Sequence, residues 1–203
     1  MDQQAPSRIE LRTDRPIGSD EPFPHVVFPA ILPPTSANQV LGWLQTSAPW
    51  RLRVTSFYEQ YEFSLLSEDA SEIARELVGE RLLDGVRALI RGHLAVKGHL
   101  GLIDVTAHKL TLGQTIRIHN DSLRGEETHR VLIQLNDGWS MDHGGLLMLF
   151  GSQVPEDVSA VIVPTHGSGF AFEISDRSFH AVSTIRKGER FTLVYTFRDC
   201  RRA

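Results

Sequence analysis

From Arg190 to Arg198 the chain alternates without a break. Arg190, Thr192, Val194 and Thr196 fall on one side of an extended segment, and Phe191, Leu193, Tyr195 and Phe197 on the other. The apolar row needs a covering layer, while arginine and threonine face inward only where a polar pocket exists. A strand with those two faces belongs to a sheet that is covered outside and encloses a site inside.

The C-terminal half has the texture of such a sheet. From Leu100 onward, short alternating runs at 102–111, 115–121, 130–136, 145–150, 158–163, 168–174, 178–184 and 190–198 read as strands. Turn chemistry separates several of them, at Leu112-Gly113-Gln114, Asn136-Asp137-Gly138, His166-Gly167-Ser168-Gly169 and Lys187-Gly188-Glu189. Before Leu100 the period changes. Val26-Val27-Phe28 reads as a first strand and 57–66 as another. Helical stripes run through Ala37, Val40, Leu41 and Leu44 after a cap at Ser36, through Ile73, Ala74, Leu77 and Val78 from Ser67, and through Leu82, Leu83, Val86, Leu89, Ile90 and Leu94.

The expected fold class is therefore mainly β with N-terminal helices (α+β). Its architecture is a double-stranded β-helix, the jelly-roll or cupin-like form, with helices covering the row from Phe191 to Phe197. Residues 1–24, with Pro6, Pro16, Pro22 and Pro24, read as a poorly ordered N-terminal arm. Residues 25–203 read as a single domain, with 25–99 as helical support and 100–198 as the β core.

Composition excludes several function classes. Twenty-five acidic against 21 basic side chains give a net charge of -4, which argues against a nucleic-acid partner. The opening Met1-Asp2-Gln3-Gln4-Ala5-Pro6 lacks the pattern of a signal peptide, and no apolar run reaches membrane-spanning length, so a cytoplasmic protein without membrane contact is expected. Cys200 is the only cysteine, which rules out an intrachain disulfide and a thiolate metal cluster.

The chemistry-bearing residues sit on the predicted strands. In Thr115-Ile116-Arg117-Ile118-His119-Asn120-Asp121, alternation places Thr115, Arg117, His119 and Asp121 on one face, so His119 and Asp121 can reach one metal ion. His180 follows later, in Ser178-Phe179-His180. Two imidazoles and one carboxylate are the donor set that holds Fe(II) on one side and leaves the other open. Ten residues beyond His180 stands Arg190, whose planar fork matches a carboxylate.

With His119, Asp121, the run Arg130–Asn136, the run Gly144–Phe150, His180 and Arg190, the chain resembles the 2-oxoglutarate and Fe(II)-dependent dioxygenase superfamily, in its prolyl 4-hydroxylase-like branch. The resemblance covers about residues 100–198, with the spacings that family shows. It implies that His119, Asp121 and His180 hold the iron, that 2-oxoglutarate and O2 complete its coordination, that Arg190 grips the distal carboxylate, and that ascorbate serves as reductant. The reaction implied is hydroxylation of an unactivated C–H with succinate and CO2 as co-products. Asp121 disfavours the halogenating members, in which that carboxylate is replaced by a small residue. Arg190 and Arg198 lack the spacing of the nucleic-acid demethylases.

Further site residues follow from position. Thr192, two places from Arg190 on the same face, can donate to the distal carboxylate. Lys109 stands where the prolyl-hydroxylase branch often places a co-substrate tyrosine. Arg117 shares the face of His119 and is a candidate substrate contact, as are Arg124 and His129 in the loop 122–129, read as a lid, and Trp139 at the entrance. The histidines at 25, 93, 99, 108, 143 and 166 are read as ordinary polar residues. The expected partner is a small molecule or peptide, most simply an amino-acid side chain, and the expected assembly a monomer or homodimer. The competing class is a non-catalytic cupin-like protein holding another metal such as zinc, for which Arg190 would have no task.

Overall fold

The structure, a computed structural model, describes residues 8–12, 14–67, 71–122 and 126–200. Among the described residues twelve strands form two sheets. β1 (Ile17–Ser19), β2 (His25–Phe28), β3 (Arg51–Val54), β4 (Glu59–Ser64), β5 (His99–Leu110), β7 (His129–Gln134), β10 (Gly169–Glu173) and β12 (Arg190–Cys200) make a large sheet in the order β1-β2-β10-β7-β12-β5-β4-β3. β6 (Ile116–His119), β8 (Leu147–Phe150), β9 (Val158–Ile162) and β11 (His180–Val182) make a smaller one in the order β6-β11-β8-β9. Every described strand pair is antiparallel. This is the double-stranded β-helix, and each of the eight strand segments expected beyond Leu100 is present with bounds moved by a few residues.

The two faces of the large sheet differ as β12 requires. Its outer face is covered by α1 (Pro34–Thr46), α2 (Glu72–Leu77) and α3 (Glu80–His93), whose Val40, Leu44, Leu77, Val86 and Ile90 pack with Phe191, Leu193, Tyr195 and Phe197 in one buried cluster. The Tyr195 hydroxyl, fully buried there, donates to the Leu77 carbonyl at 3.1 Å. Between the sheets a second cluster joins Phe23, Leu132, Phe170, Phe172 and Val194 to Leu147 and Leu149. A third, smaller cluster of Leu110, Val182 and Ile185 with Ile116 and Trp139 closes one end of the barrel. Among the described residues no helix is long and apolar enough to cross a membrane.

Several expectations are corrected. The segment before residue 25 is not a loose arm over its described part. Ile9 is fully buried with its N–H donating to Glu76 Oε1 at 2.8 Å, Phe23 is buried, and β1 pairs with β2 from Ile17↔Val27 to Ser19↔His25. Proline tolerates the edge of a sheet, so the prolines here punctuate the path without unfolding it. Residues 25–99 are also more than helical support, because β2, β3 and β4 widen the large sheet. Ser36 does not cap α1. Pro33 is the N-cap, Pro34 opens the helix, and Ser36 is buried within its first turn, accepting from the Glu10 N–H at 3.3 Å. α2 is capped by Ser71, whose Oγ accepts from the Ala74 N–H at 3.1 Å, four residues beyond the start expected at Ser67.

Candidate metal centre and its pocket

His119, Asp121 and His180 converge at the mouth between the two sheets. β6 and β11 place His119 directly opposite His180, with ring centroids 4.2 Å apart. One donor atom from each of the three residues lies within 4.8 Å of the other two. His119 Nδ1 lies 2.8 Å from the Arg117 carbonyl and His180 Nδ1 2.8 Å from the Ser178 carbonyl. Since a carbonyl only accepts, both rings carry their proton on Nδ1 and present the Nε2 lone pair to the centre. Those Nε2 atoms lie 3.4 Å (His119) and 3.2 Å (His180) from the Asp121 carboxylate.

The chain bends to bring Asp121 there. Asp121 has φ +62°, a left-handed conformation that is uncommon outside glycine and that Asp tolerates better than most. Asn120 anchors the bend: its Nδ2 donates to the Asp176 carbonyl at 3.1 Å, and its own carbonyl accepts from Ser178 Oγ at 2.9 Å, tying the first histidine's strand to the second's. Burial alone would oppose ionisation of Asp121. Arg130, 2.5 Å from Oδ2, His180 and His119 together outweigh it and hold the carboxyl well below the usual carboxylate range. Burial likewise pushes His180 down, and the neighbouring His119 adds to it against the pull of Asp121. An ionised carboxylate and two imidazoles with free Nε2 atoms form a donor set that fits Fe(II).

The pocket floor comes from the inner face of the large sheet, where strand register lines side chains up in rows. Glu62, His108, Thr192 and Gln134 lie side by side across β4, β5, β12 and β7, and Asp104, Thr196 and Arg130 form another row nearer the triad. Arg190 stands opposite Leu110 at the start of β12 and is only 3% exposed. Its Nη1 donates to Thr192 Oγ1 at 2.8 Å, and Thr192 in turn donates to Gln134 Oε1 at 2.9 Å. Nε and Nη2 of Arg190 are buried with no partner among the described residues, and burial lowers the guanidinium pKa to about 10. Two orphaned donors on a buried, charged fork are what a bound carboxylate would satisfy, so the residues fit a dicarboxylate co-substrate.

Two neighbours fix that arginine. Asn136 Oδ1 accepts from the Phe191 N–H at 2.6 Å, pinning the start of β12, while its Nδ2 donates to the Pro164 carbonyl. Gly145, at φ +63°, leaves room for the arginine stem, since a Cβ there would lie 2.9 Å from Arg190 Cδ.

Not every expected site residue is in the pocket. Lys109 faces the other way: its Nζ lies over the rings of Tyr61 and Trp50 and 3.6 Å from Glu189, and the pocket position is its neighbour His108. Arg117 is exposed and outside the pocket because β6 carries a register shift against β11. His180↔His119 is followed by Val182↔Ile116, which brings Ile116 inward with His119. His129 is buried on the helix side, with its Nε2 3.1 Å from the Ala95 carbonyl. Trp139 packs against the Leu110 cluster and donates its indole N–H to the Gly144 carbonyl at 2.9 Å, covering the core edge. Thr192 lines the pocket, but its hydroxyl proton is directed to Gln134 and its lone pair to Arg190. Arg124 and the centre of the loop read as a lid, 123–125, lie outside the described residues.

The sequence reading passed over Arg130, Gln134, His108, Gln60, Glu62 and Asp104, all of which line the pocket or adjoin Thr192. For β7 the signal was available. Arg130, Leu132 and Gln134 alternate with His129, Val131 and Ile133, and only the first set can share a face with Thr192. Burial lowers the pKa of His108 to about 4, so its ring is neutral at physiological pH, and its Nε2 lies 2.9 Å from Thr106 Oγ1.

The fold and site define a class: a double-stranded β-helix with two histidines and one carboxylate converging at its mouth and a buried, partly unpartnered arginine behind them. Residues 105–198, which carry His119, Asp121, His180 and Arg190, match the family model described as 2OG-Fe(II) oxygenase superfamily. Similar solved structures share the fold. A prolyl 4-hydroxylase from Pseudomonas putida has 20% identity and a TM-score of 0.61, over 82% of this chain and 86% of that one. A prolyl hydroxylase from Trichoplax adhaerens, in complex with a peptide fragment of the hypoxia inducible factor oxygen degradation domain, has 18% identity and a TM-score of 0.65 over 80% and 76%. HygX from Streptomyces hygroscopicus, with nickel and 2-oxoglutarate bound, has 14% identity and a TM-score of 0.61 over 86% and 82%. No curated protein sequence matches the chain.

Proposed function

We propose that this chain is a 2-oxoglutarate-dependent Fe(II) dioxygenase that hydroxylates an unactivated C–H on a peptidyl or free amino-acid side chain in the cytoplasm, with His119, Asp121 and His180 as the iron ligands and Arg190 as the distal-carboxylate anchor. Bound iron with 2-oxoglutarate supplies the oxidising power, consuming O2 and releasing succinate and CO2. The chain's own residues do the rest. Nδ1–H donation to the Arg117 and Ser178 carbonyls orients the two imidazoles, Arg130 keeps Asp121 anionic, and Thr192 with Gln134 aims the Arg190 fork. Because the Thr192 hydroxyl proton goes to Gln134, Thr192 acts as a positioning residue. The apolar inner residues Leu132, Leu147, Val182 and Val194 keep water from the space between triad and arginine.

The observation that carries this reading is the pair of unpartnered Arg190 donors deep in the same pocket as the triad. A barrel that only stores a metal gains nothing from burying an uncompensated guanidinium, which costs several kcal/mol by rough measure. Peptide is among the substrates proposed because the Trichoplax adhaerens relative is a peptide complex.

The test is succinate release by the iron-loaded enzyme in air, screened over amino acids and over peptides encoded beside the gene. One substrate should stimulate release and gain a single oxygen atom drawn from labelled O2. If none raises succinate above the iron-free control, the non-catalytic reading stands instead.

A further inference from the structure

Among the described residues the pocket wall built by β4 and β5 presents hydrogen-bond acceptors and no cation. Gln60, 1% exposed, gives its amide N–H to Glu62 Oε2 at 2.7 Å, and its buried Oε1 has no partner among the described residues. Asp104 accepts from Ser64 Oγ at 2.6 Å and from the Val105 N–H, yet forms no ion pair among the described residues. Among the described residues the one ion pair of Glu62 is with the exposed Arg53 at 2.8 Å, and its Oε2 accepts from the Tyr58 hydroxyl at 3.4 Å as well as from Gln60.

Charge sharpens the point. Glu62, Asp104, Asp121 and Glu127 line the pocket against Arg130 and Arg190. A ferrous ion and a 2-oxoglutarate dianion cancel each other, Arg130 serves both Asp121 and Glu127, and Arg53 covers Glu62. Asp104 is the carboxylate left over. A half-buried anion without a counter-charge is costly, and a cation placed beside it would recover that cost.

We infer that this wall holds a cationic nitrogen group of the substrate, a protonated amine or a guanidinium, whose N–H donors go to Gln60 Oε1 and to the Asp104 and Glu62 carboxylates. The inference rests on the oxygenase reading of the pocket and names the substrate class within it. A neutral amide offers donors but leaves Asp104 uncompensated, and an anion is repelled by the wall. With the charged end held between β4 and β5, the carbon chain behind it lies across the pocket towards His119, Asp121 and His180.

The experiment uses the full chain loaded anaerobically with Fe(II) and 2-oxoglutarate, whose visible charge-transfer band first reports that the oxygenase site has formed. Nα-acetyl-lysine amide and Nα-acetyl-arginine amide are then titrated against their neutral counterparts, the Nε-acetylated lysine derivative and the citrulline derivative, following the band and the heat of binding. At least one cationic probe should bind about ten-fold tighter than its neutral partner, and Asp104→Asn should remove most of that preference while the band is unchanged. Glu62→Gln serves as the second variant if Asp104→Asn does not fold, with the same expectation. Equal binding of charged and neutral probes, no binding by any of them, or a preference that survives the variant overturns the inference. If the band itself never forms, the fault lies in the oxygenase reading.

Discussion

The two faces of β12 are built from the same eleven residues under opposite rules. Outward, Phe191, Leu193, Tyr195 and Phe197 are buried among helices, and even the Tyr195 hydroxyl has its partner. Inward, Arg190 is just as buried but keeps two donors unsatisfied. The outer face is finished by the chain itself, while the inner face keeps donors that the described residues leave unsatisfied. Stability and function are thus separable by the parity of a residue along one strand, and the same division continues into β5, where His108 faces the pocket and Lys109 the outside.

Substitutions can break or sharpen that contrast. The largest effect is expected outside. Phe191→Ala removes a ring packed between Trp50 and the helices and should lower unfolding free energy by about 3–5 kcal/mol in denaturant titration. Next is His108, which faces Glu62, Arg130, Arg190 and Asp121. Its folded pKa of about 4 lies below the ordinary 6.5, so its contribution to stability is fully present above pH 6.5 and lost as pH falls towards 4. His108→Gln should therefore remove roughly 1–3 kcal/mol of the acid sensitivity in that window, measured by unfolding at pH 7 and pH 4.5. A loss of stability that is the same in both proteins would mean the ring is not held neutral.

A smaller effect has the opposite sign. Arg190→Met replaces an uncompensated buried charge with an apolar side chain of similar reach, so the ligand-free protein should become more stable by roughly 1 kcal/mol. Destabilisation would place Arg190 among structural residues and erase the contrast between the faces. The smallest expectation concerns Lys109→Met, which should change 2-oxoglutarate affinity by less than about two-fold, because its ammonium sits over Trp50 and Tyr61 on the outer face.

What was legible in the sequence follows from how local each signal is. The alternation of β12 showed both of its faces, and the convergence of His119, Asp121 and His180 could be anticipated because their residue types carry their chemistry wherever they stand. Parity failed where it depended on something non-local. The register shift between β6 and β11 turns Arg117 out and Ile116 in, and no single-strand pattern encodes it. Lys109 was misplaced by one residue because polar side chains stand at both 108 and 109, and only pairing with β12, which sets His108 beside Thr192, decides between them. β1 and β3 were missed because short edge strands with exposed side chains carry no burial pattern to read. The acceptor-lined wall of β4 and β5 was invisible for a related reason, since Gln60, Glu62 and Asp104 look like solvated polar residues until the sheet folds them inward.

The most direct test of the central claim is an anaerobic titration of 2-oxoglutarate into the Fe(II)-loaded protein, followed by the visible charge-transfer band, for the natural chain and for Arg190→Met. The natural chain should form the band and saturate. The variant should bind Fe(II) equally well but need about a hundred-fold more 2-oxoglutarate, the loss expected of a charge-assisted bidentate partner. A folded natural protein that gives no band, or a variant that saturates at the same concentration, would contradict the account.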